Sequence, residues 1–238
     1  MRILVLGAGG YVGTLIRPAL EERHECTYLD SRHVESPRGQ AFIGDVEDAS
    51  LLRMLLGRGF DSVIYLVLGT GPRGEYGCDV NFDLNVRALY KAALASLKAG
   101  VPQFIYASSL SVYRDLGKFP FLSEQTPPDC VGVYGVSKLL GEQVCGQLAL
   151  HHPSANVQSI RLMLPRQEHH WTDHYHYDPA SGRTSCALGP QDTRRLFMAA
   201  VDFRAAGYYL YQATGDLEDR FRPNTLARQW LRWAPAGQ

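Results

Sequence analysis

The run Ile3-Leu4-Val5-Leu6 leads straight into Gly7-Ala8-Gly9-Gly10-Tyr11-Val12-Gly13, and this junction restricts the fold more than any other stretch. Four consecutive apolar residues suit a strand buried on both faces, as in a parallel sheet. Beyond it, Val12, Leu15, Ile16, Ala19 and Leu20 recur at helical spacing. Pro18 inside that helix predicts a kink or an irregular turn. The glycines at 7, 10 and 13 each have a mechanical use. The first permits a sharp turn out of the strand, the second lets the backbone approach a pyrophosphate, and the third lets the helix pack close to the sheet. The helix start offers unpaired N–H groups and a partial positive charge to phosphates.

The next element agrees with a dinucleotide site. Asp30 lies seventeen positions after Gly13, at the end of a second strand, "CTYLD". A carboxylate there can accept hydrogen bonds from both hydroxyls of an adenosine ribose and repels a 2′-phosphate. NAD is therefore expected rather than NADP, with Arg32 softening the preference.

Strand and helix then alternate. "QAFIGDV", "DSVIYLVLG", "QFIYASS" and "VQSIRLML" read as further strands. Helices are expected over Ala49–Leu56, over roughly Asn81–Ala99 with Gly100 as C-cap, and from Tyr134 to about Leu150. This order predicts an α/β fold, a doubly wound parallel sheet of Rossmann type. After Pro165 the pattern turns polar up to residue 190. "DTRRLFMAAVDF", "YYLYQAT" and "NTLARQWLRW" then read as helix, strand and helix. The expected organisation is a dinucleotide-binding domain over 1–165 and a small substrate lobe over 166–238, integrated with it.

Charge and cysteine usage narrow the function classes. Lys+Arg and Asp+Glu balance at 24 each, so there is no basic footprint for nucleic acid. No apolar run is long enough for a bilayer, and the short N-terminal run does not read as a signal peptide. The five cysteines are scattered without a CxxC pair, which fits reduced thiols in a cytoplasm and no structural zinc.

A second constellation carries chemistry. The strand "QFIYASS" ends in Ser108 and Ser109, with Ser111 just beyond. Ligands sit at the carboxyl ends of strands in such sheets. Tyr134 and Lys138 are four residues apart, so they share a helix face. A nearby ammonium is expected to lower the phenol from about 10 toward neutrality, making Tyr134 a general acid/base. A serine hydroxyl would orient the reacting hydroxyl or carbonyl.

Taken together, "GAGGYVG", Asp30, "GDV" at 44–46, "ASSLSVY" at 107–113 and "YGVSK" at 134–138 resemble the short-chain dehydrogenase/reductase superfamily. The similarity is to its extended branch, the NAD-dependent epimerase/dehydratase family. That resemblance implies Ser109, Tyr134 and Lys138 as catalytic residues. It implies Gly7, Gly10, Tyr11, Val12, Gly13, Asp30, Asp45, Val46, Leu66, Val67, Leu68, Asn81 and Lys138 as cofactor contacts, with Asn85 a rival to Asn81. Ser111 would assist with substrate. Leu164 stands where many nucleotide-sugar enzymes of the family carry asparagine, and only about seventy residues follow the sixth strand. The short form looks more like the uronate dehydrogenases of the same branch. Arg161 and Arg166 are then candidate partners for a substrate carboxylate, although a solvated or salt-bridged arginine is the commoner role.

The segment "HHWTDHYHYD" at 169–178 holds His169, His170, His174 and His176. With no apolar period, it reads as a loop over the substrate or at a subunit contact rather than a metal site. The function expected is an NAD-dependent oxidoreductase acting on a hydroxyl or carbonyl of a sugar, sugar acid or similar small molecule. An epimerase or dehydratase with transient internal NAD reduction would use the same residues. A dinucleotide sensor without chemistry is the third alternative. A homodimer through the long central helix and the Tyr/Lys helix would draw on Leu89, Ala92, Leu139 and Leu140.

Overall fold

The computed structural model describes residues 1–69, 78–116, 123–171, 177–178, 183–184 and 186–237. Its main sheet has seven strands: β1 (Arg2–Leu6), β2 (Glu25–Asp30), β3 (Gln40–Ile43), β4 (Ser62–Tyr65), β5 (Gln103–Ser109), β6 (Asn156–Leu162) and β9 (Gly207–Ala213). The order is β3-β2-β1-β4-β5-β6-β9, with every pair parallel. Two short strands, β7 (Tyr177–Asp178) and β8 (Arg183–Thr184), form a separate antiparallel pair.

The helices are α1 (Tyr11–Arg23), α2 (Ala49–Leu56), α3 (Cys78–Phe82), α4 (Leu89–Lys98), α5 (Val133–His151), α6 (Pro190–Asp202) and α7 (Thr225–Leu231). Strand alternation sorts the core into two layers. Ile3 and Val5 of β1 join Leu15, Ile16, Leu196 and Phe197 on the side of α1 and α6. Leu4 and Leu6 join Leu52, Leu55, Leu89 and Leu148 on the side of α2, α4 and α5. With both faces covered, the strands need the continuous apolar runs seen in the sequence.

Three local expectations differ. Helix α1 continues through Pro18 without a break. β4 ends at Tyr65; Leu66 N still donates to the Leu6 carbonyl at 2.8 Å, and residues 67–69 do not extend the strand. The expected single helix over 81–99 is α3 and α4 joined by a π-helical segment, Asp83–Ala88. Such widened turns displace side chains relative to a regular helix and occur often at functional sites. Gly100 has φ +81°, as its role at the end of α4 requires.

Candidate active site

The strand order reverses between β1 and β4, and a cleft of about 540 Å³ opens there. The first turn contributes Gly7, Gly10, Tyr11 and Val12, and the end of β2 contributes Asp30. Asp45 and Val46 follow β3, and Leu66, Val67 and Leu68 follow β4. Gly13 packs behind the cleft. A Cβ there would lie 2.3 Å from the Ala8 carbonyl oxygen, so only glycine lets α1 sit this close. Gly7 has φ +84°, and a Cβ on it would be 2.6 Å from the Val67 nitrogen. These glycines shape a cradle that a larger side chain would fill, which fits a dinucleotide.

Asp30 is buried at the end of β2, with Oδ2 accepting from Gly9 N at 2.8 Å and Oδ1 from Arg32 N at 2.9 Å. Arg32 Nη2 donates to the Gly9 carbonyl at 2.8 Å, and Nε lies 3.5 Å from Asp30 Oδ1. The guanidinium thus folds over the glycine turn. Sequence reading did not single out Gly69 or Leu84, which also line the cleft. Their signal is tertiary, because the π-helical segment brings Leu84 across.

Asn81 and Asn85 are both fully buried. Asn85 Nδ2 donates to Asn81 Oδ1 at 3.1 Å and to Ser137 Oγ at 3.0 Å, while Asn85 Oδ1 accepts from Gly69 N at 3.4 Å. Asn85 therefore ties the cleft to the Tyr/Lys helix, and Asn81 supports it from one turn away.

Ser109, Tyr134 and Lys138 come together where the end of β5 faces α5, beside the Asn85–Ser137 link. The Ser109 side chain lies near enough to the Tyr134 phenol to oppose the effect of its burial. Ser109 Oγ also accepts from Ser111 N and donates to Ser111 Oγ, both at 3.1 Å. Lys138 Nζ donates to the Ala107 carbonyl at 2.8 Å and lies 5.9 Å from the Tyr134 ring centre. The electrostatics correct the expectation of a lowered phenol. Burial pushes the Tyr134 phenol up, with Ser109 opposing it. Burial pulls the Lys138 amine down to about 7, against the nearby Glu142 carboxylate. Desolvation is the leading cause of both shifts, with Lys138 enclosed between α5 and β5.

Arg161 is corrected as well. It is 2% exposed and bound in bidentate fashion to Glu142, with Nε to Oε1 at 2.9 Å and Nη2 to Oε2 at 2.7 Å. Its remaining Nη1 donates to Tyr113 Oη at 2.7 Å. The guanidinium is committed to the protein and is no partner for a substrate carboxylate. Sequence reading passed over Glu142 altogether. It also passed over Arg222, whose buried guanidinium lies in the electrostatic field of Cys186, Asp216 and Asp115.

Of the histidine-rich segment, His169 and His170 form a short exposed turn with Glu168. His174 and His176 lie outside the described residues. Among the described residues no group of three His, Cys, Asp or Glu is placed to hold a metal ion, and no helix is long and apolar enough to cross a membrane.

Residues 3–213 match the model of the NAD dependent epimerase/dehydratase family. The chain belongs to this family. NAD is the cofactor its name specifies, and the glycine cradle and Asp30 are consistent with it. A UDP-glucose 4-epimerase of Neisseria meningitidis serogroup C is 29% identical over 184 residues, which is 71% of this chain and 54% of that protein. The chain thus spans about half the length of that relative. An L-arabinose 1-dehydrogenase (NAD(P)(+)) of Haloferax volcanii is 28% identical over 173 residues, or 68% of this chain and 66% of that one. Among solved structures, glucuronic acid dehydrogenase from Chromohalobacter salexigens superposes with a TM-score of 0.76 at 22% identity, covering 98% of this chain and 84% of that chain. At that identity the likeness concerns the fold.

Proposed function

We propose that the protein is an NAD-dependent oxidoreductase of a sugar or sugar acid, with Tyr134 as acid/base. The observation that supports it best is the grouping of Ser109 on β5 with Tyr134 and Lys138 on α5, linked to the glycine-cradled cleft through Asn85. Bound NAD would supply the acceptor for a hydride from the sugar carbon.

The chain's own residues account for the proton and the geometry. Ser109 lies beside the phenol and favours its ionised form, so a sugar hydroxyl placed between them would meet an oriented base. Tyr134 would take the hydroxyl proton. Lys138, protonated, would stabilise the phenolate and hold a ribose hydroxyl. Asp30 would hold the adenosine ribose on its remaining lone pairs, and Asp45 and Val46 would flank the adenine. Residues 166–238 would form the substrate lobe, and Ser111 would assist in orienting substrate. In a homodimer through α4 and α5, Leu89 and Ala92 would not take part, because they are spent in the core. Leu140 is exposed and would carry that contact together with exposed Tyr90.

Internal epimerisation uses the same groups, and the N. meningitidis relative keeps that second reading alive. A panel of uronates, aldoses and nucleotide sugars separates the two. Net NADH absorbance at 340 nm marks a dehydrogenase. Epimer formed without NADH release marks an epimerase. No NAD-linked conversion of any member would refute both.

A further inference from the structure

Three consecutive residues of β5 each engage one residue of α5. The Ser109 side chain lies beside the Tyr134 phenol, the Ala107 carbonyl accepts from Lys138, and the Ser108 hydroxyl donates to Glu142 Oε1 at 2.6 Å. The partners on the helix fall at 134, 138 and 142, one turn apart on one face. Tyr134 and Lys138 belong to the proposed chemistry, while Glu142 has no part in it so far.

Glu142 is nonetheless built in with care. It is 1% exposed, and both carboxylate oxygens are occupied by Arg161 and Ser108. Arg161 carries the network on to Tyr113, whose hydroxyl donates to the Ser123 carbonyl at 2.7 Å. The pair therefore joins α5, β5, β6 and the segment at 123–126. A buried ion pair seldom stabilises a fold more than apolar residues of the same shape would. The place of Glu142 on the same face of α5 as Tyr134 and Lys138 points to a role beyond stability.

We propose that Glu142 is a positioning residue whose clamped carboxylate keeps Lys138 charged and fixed beneath Tyr134. This rests on the reading of Lys138 as a functional group. The groups facing Lys138 support the assignment. Its own helix presents Tyr134, Glu142 and Cys145, and β5 presents the Tyr106 ring at 4.8 Å and the Ala107 carbonyl. Burial pushes the Cys145 thiol up to about 12 and the Tyr106 phenol well above its usual range, so neither supplies a negative charge at neutral pH. Tyr208 of β9, also raised by burial, contacts the Glu142 backbone carbonyl and stays neutral. Arg161 stands behind the carboxylate and is neutralised by it. Glu142 is thus the negative charge that opposes the desolvation of Lys138.

The test uses the cofactor-free full chain labelled with ¹³C-lysine, with Lys91, Lys98 and Lys118 as internal references. Lys138 is titrated by NMR in wild type and in the double variant Glu142→Gln/Arg161→Met, which removes both charges at similar volume. The Lys138 resonance is expected to titrate about one pH unit lower in the double variant. A purely structural pair would change the melting temperature and leave that titration where it was, and this result overturns the proposal. If the double variant fails to fold, Ser108→Ala decides. It removes one of the two donors to Glu142 Oε1, leaving Arg161 Nε as the other, and is expected to lower kcat about threefold or more with KM for NAD unchanged; wild-type kcat contradicts the proposal. An unmoved titration alongside an inactive Tyr134→Phe would sink the role of Glu142 and leave the proposed function standing. The converse pair of results would do the opposite.

Discussion

Lys138 Nζ and the Tyr134 ring centre lie 5.9 Å apart, one turn of α5 from each other, and the ammonium is held by the Ala107 carbonyl. Lys138 is buried and Tyr134 half-buried in the same packing against β5. That packing raises the phenol and lowers the amine together.

The first consequence concerns stability. Lys138 titrates near 7 when folded and near 10.5 when unfolded. Between those values the unfolded chain binds more protons, so stability rises with pH across this window. Below 7 the full penalty of the buried ammonium is present. Lys138→Met is therefore expected to raise the melting temperature at pH 7, by up to about 4 kcal/mol in unfolding free energy. The gain should shrink as pH approaches 10.5, while activity is lost. Thermal unfolding at several pH values checks it, and a variant less stable than wild type at pH 7 would contradict it.

The glycine cradle makes a sharper structural demand. Gly13→Ala places a methyl group 2.3 Å from the Ala8 carbonyl oxygen, against backbone that cannot rotate away. Helix α1 must shift, at a cost of about 1–3 kcal/mol. Thermal melts should show the loss, and calorimetry should show weakened NAD binding, because the helix start moves with it.

Cofactor choice should turn on two neighbours. Asp30→Asn removes the charge that disfavours a 2′-phosphate while keeping a side-chain oxygen for Gly9 N. The ratio of NAD to NADP affinity should fall about tenfold or more. Arg32→Ala should change it the other way, since a cation folded over Gly9 is lost. Binding titrations with both cofactors measure the two ratios, and an unchanged ratio in both variants would reject this account of Asp30.

The two serines should also separate. Ser109 acts on the Tyr134 phenol, whereas Ser111 is bonded to Ser109. Ser109→Ala should lower kcat by about 10²-fold or more, and Ser111→Ala by much less. Steady-state kinetics on one substrate is sufficient, and equal losses would argue for a shared role.

Much of this was legible in the chain. Buried runs such as Ile3–Leu6 announce strands covered on both faces, and the glycine spacing after the first of them locates the cleft. Tyr134 and Lys138 stand out by their i, i+4 spacing, whereas Ser109 among its neighbouring serines is singled out only by resemblance to the family. What escaped was set by contacts distant in sequence. Glu142 and Arg161 are nineteen positions apart on different elements, and nothing in either stretch announces the pairing. The direction of the Tyr134 shift was misjudged for the same reason. The i, i+4 spacing is visible in the sequence, but the depth of burial that decides the sign comes from packing against β5. The π-helical segment that brings Asn85 onto Ser137 left no trace in the apolar period of its helix.

The central claim is that Tyr134 moves the proton while a sugar carbon gives its hydride to NAD. It is met most directly by following absorbance at 340 nm in a single turnover of wild type and Tyr134→Phe with the best sugar or sugar acid of the panel. Wild type should show a substrate-dependent rise, transient or lasting. The variant should bind NAD with near-normal affinity and show a rise at least about 10²-fold slower. A rise in Tyr134→Phe as fast as in wild type would contradict the account.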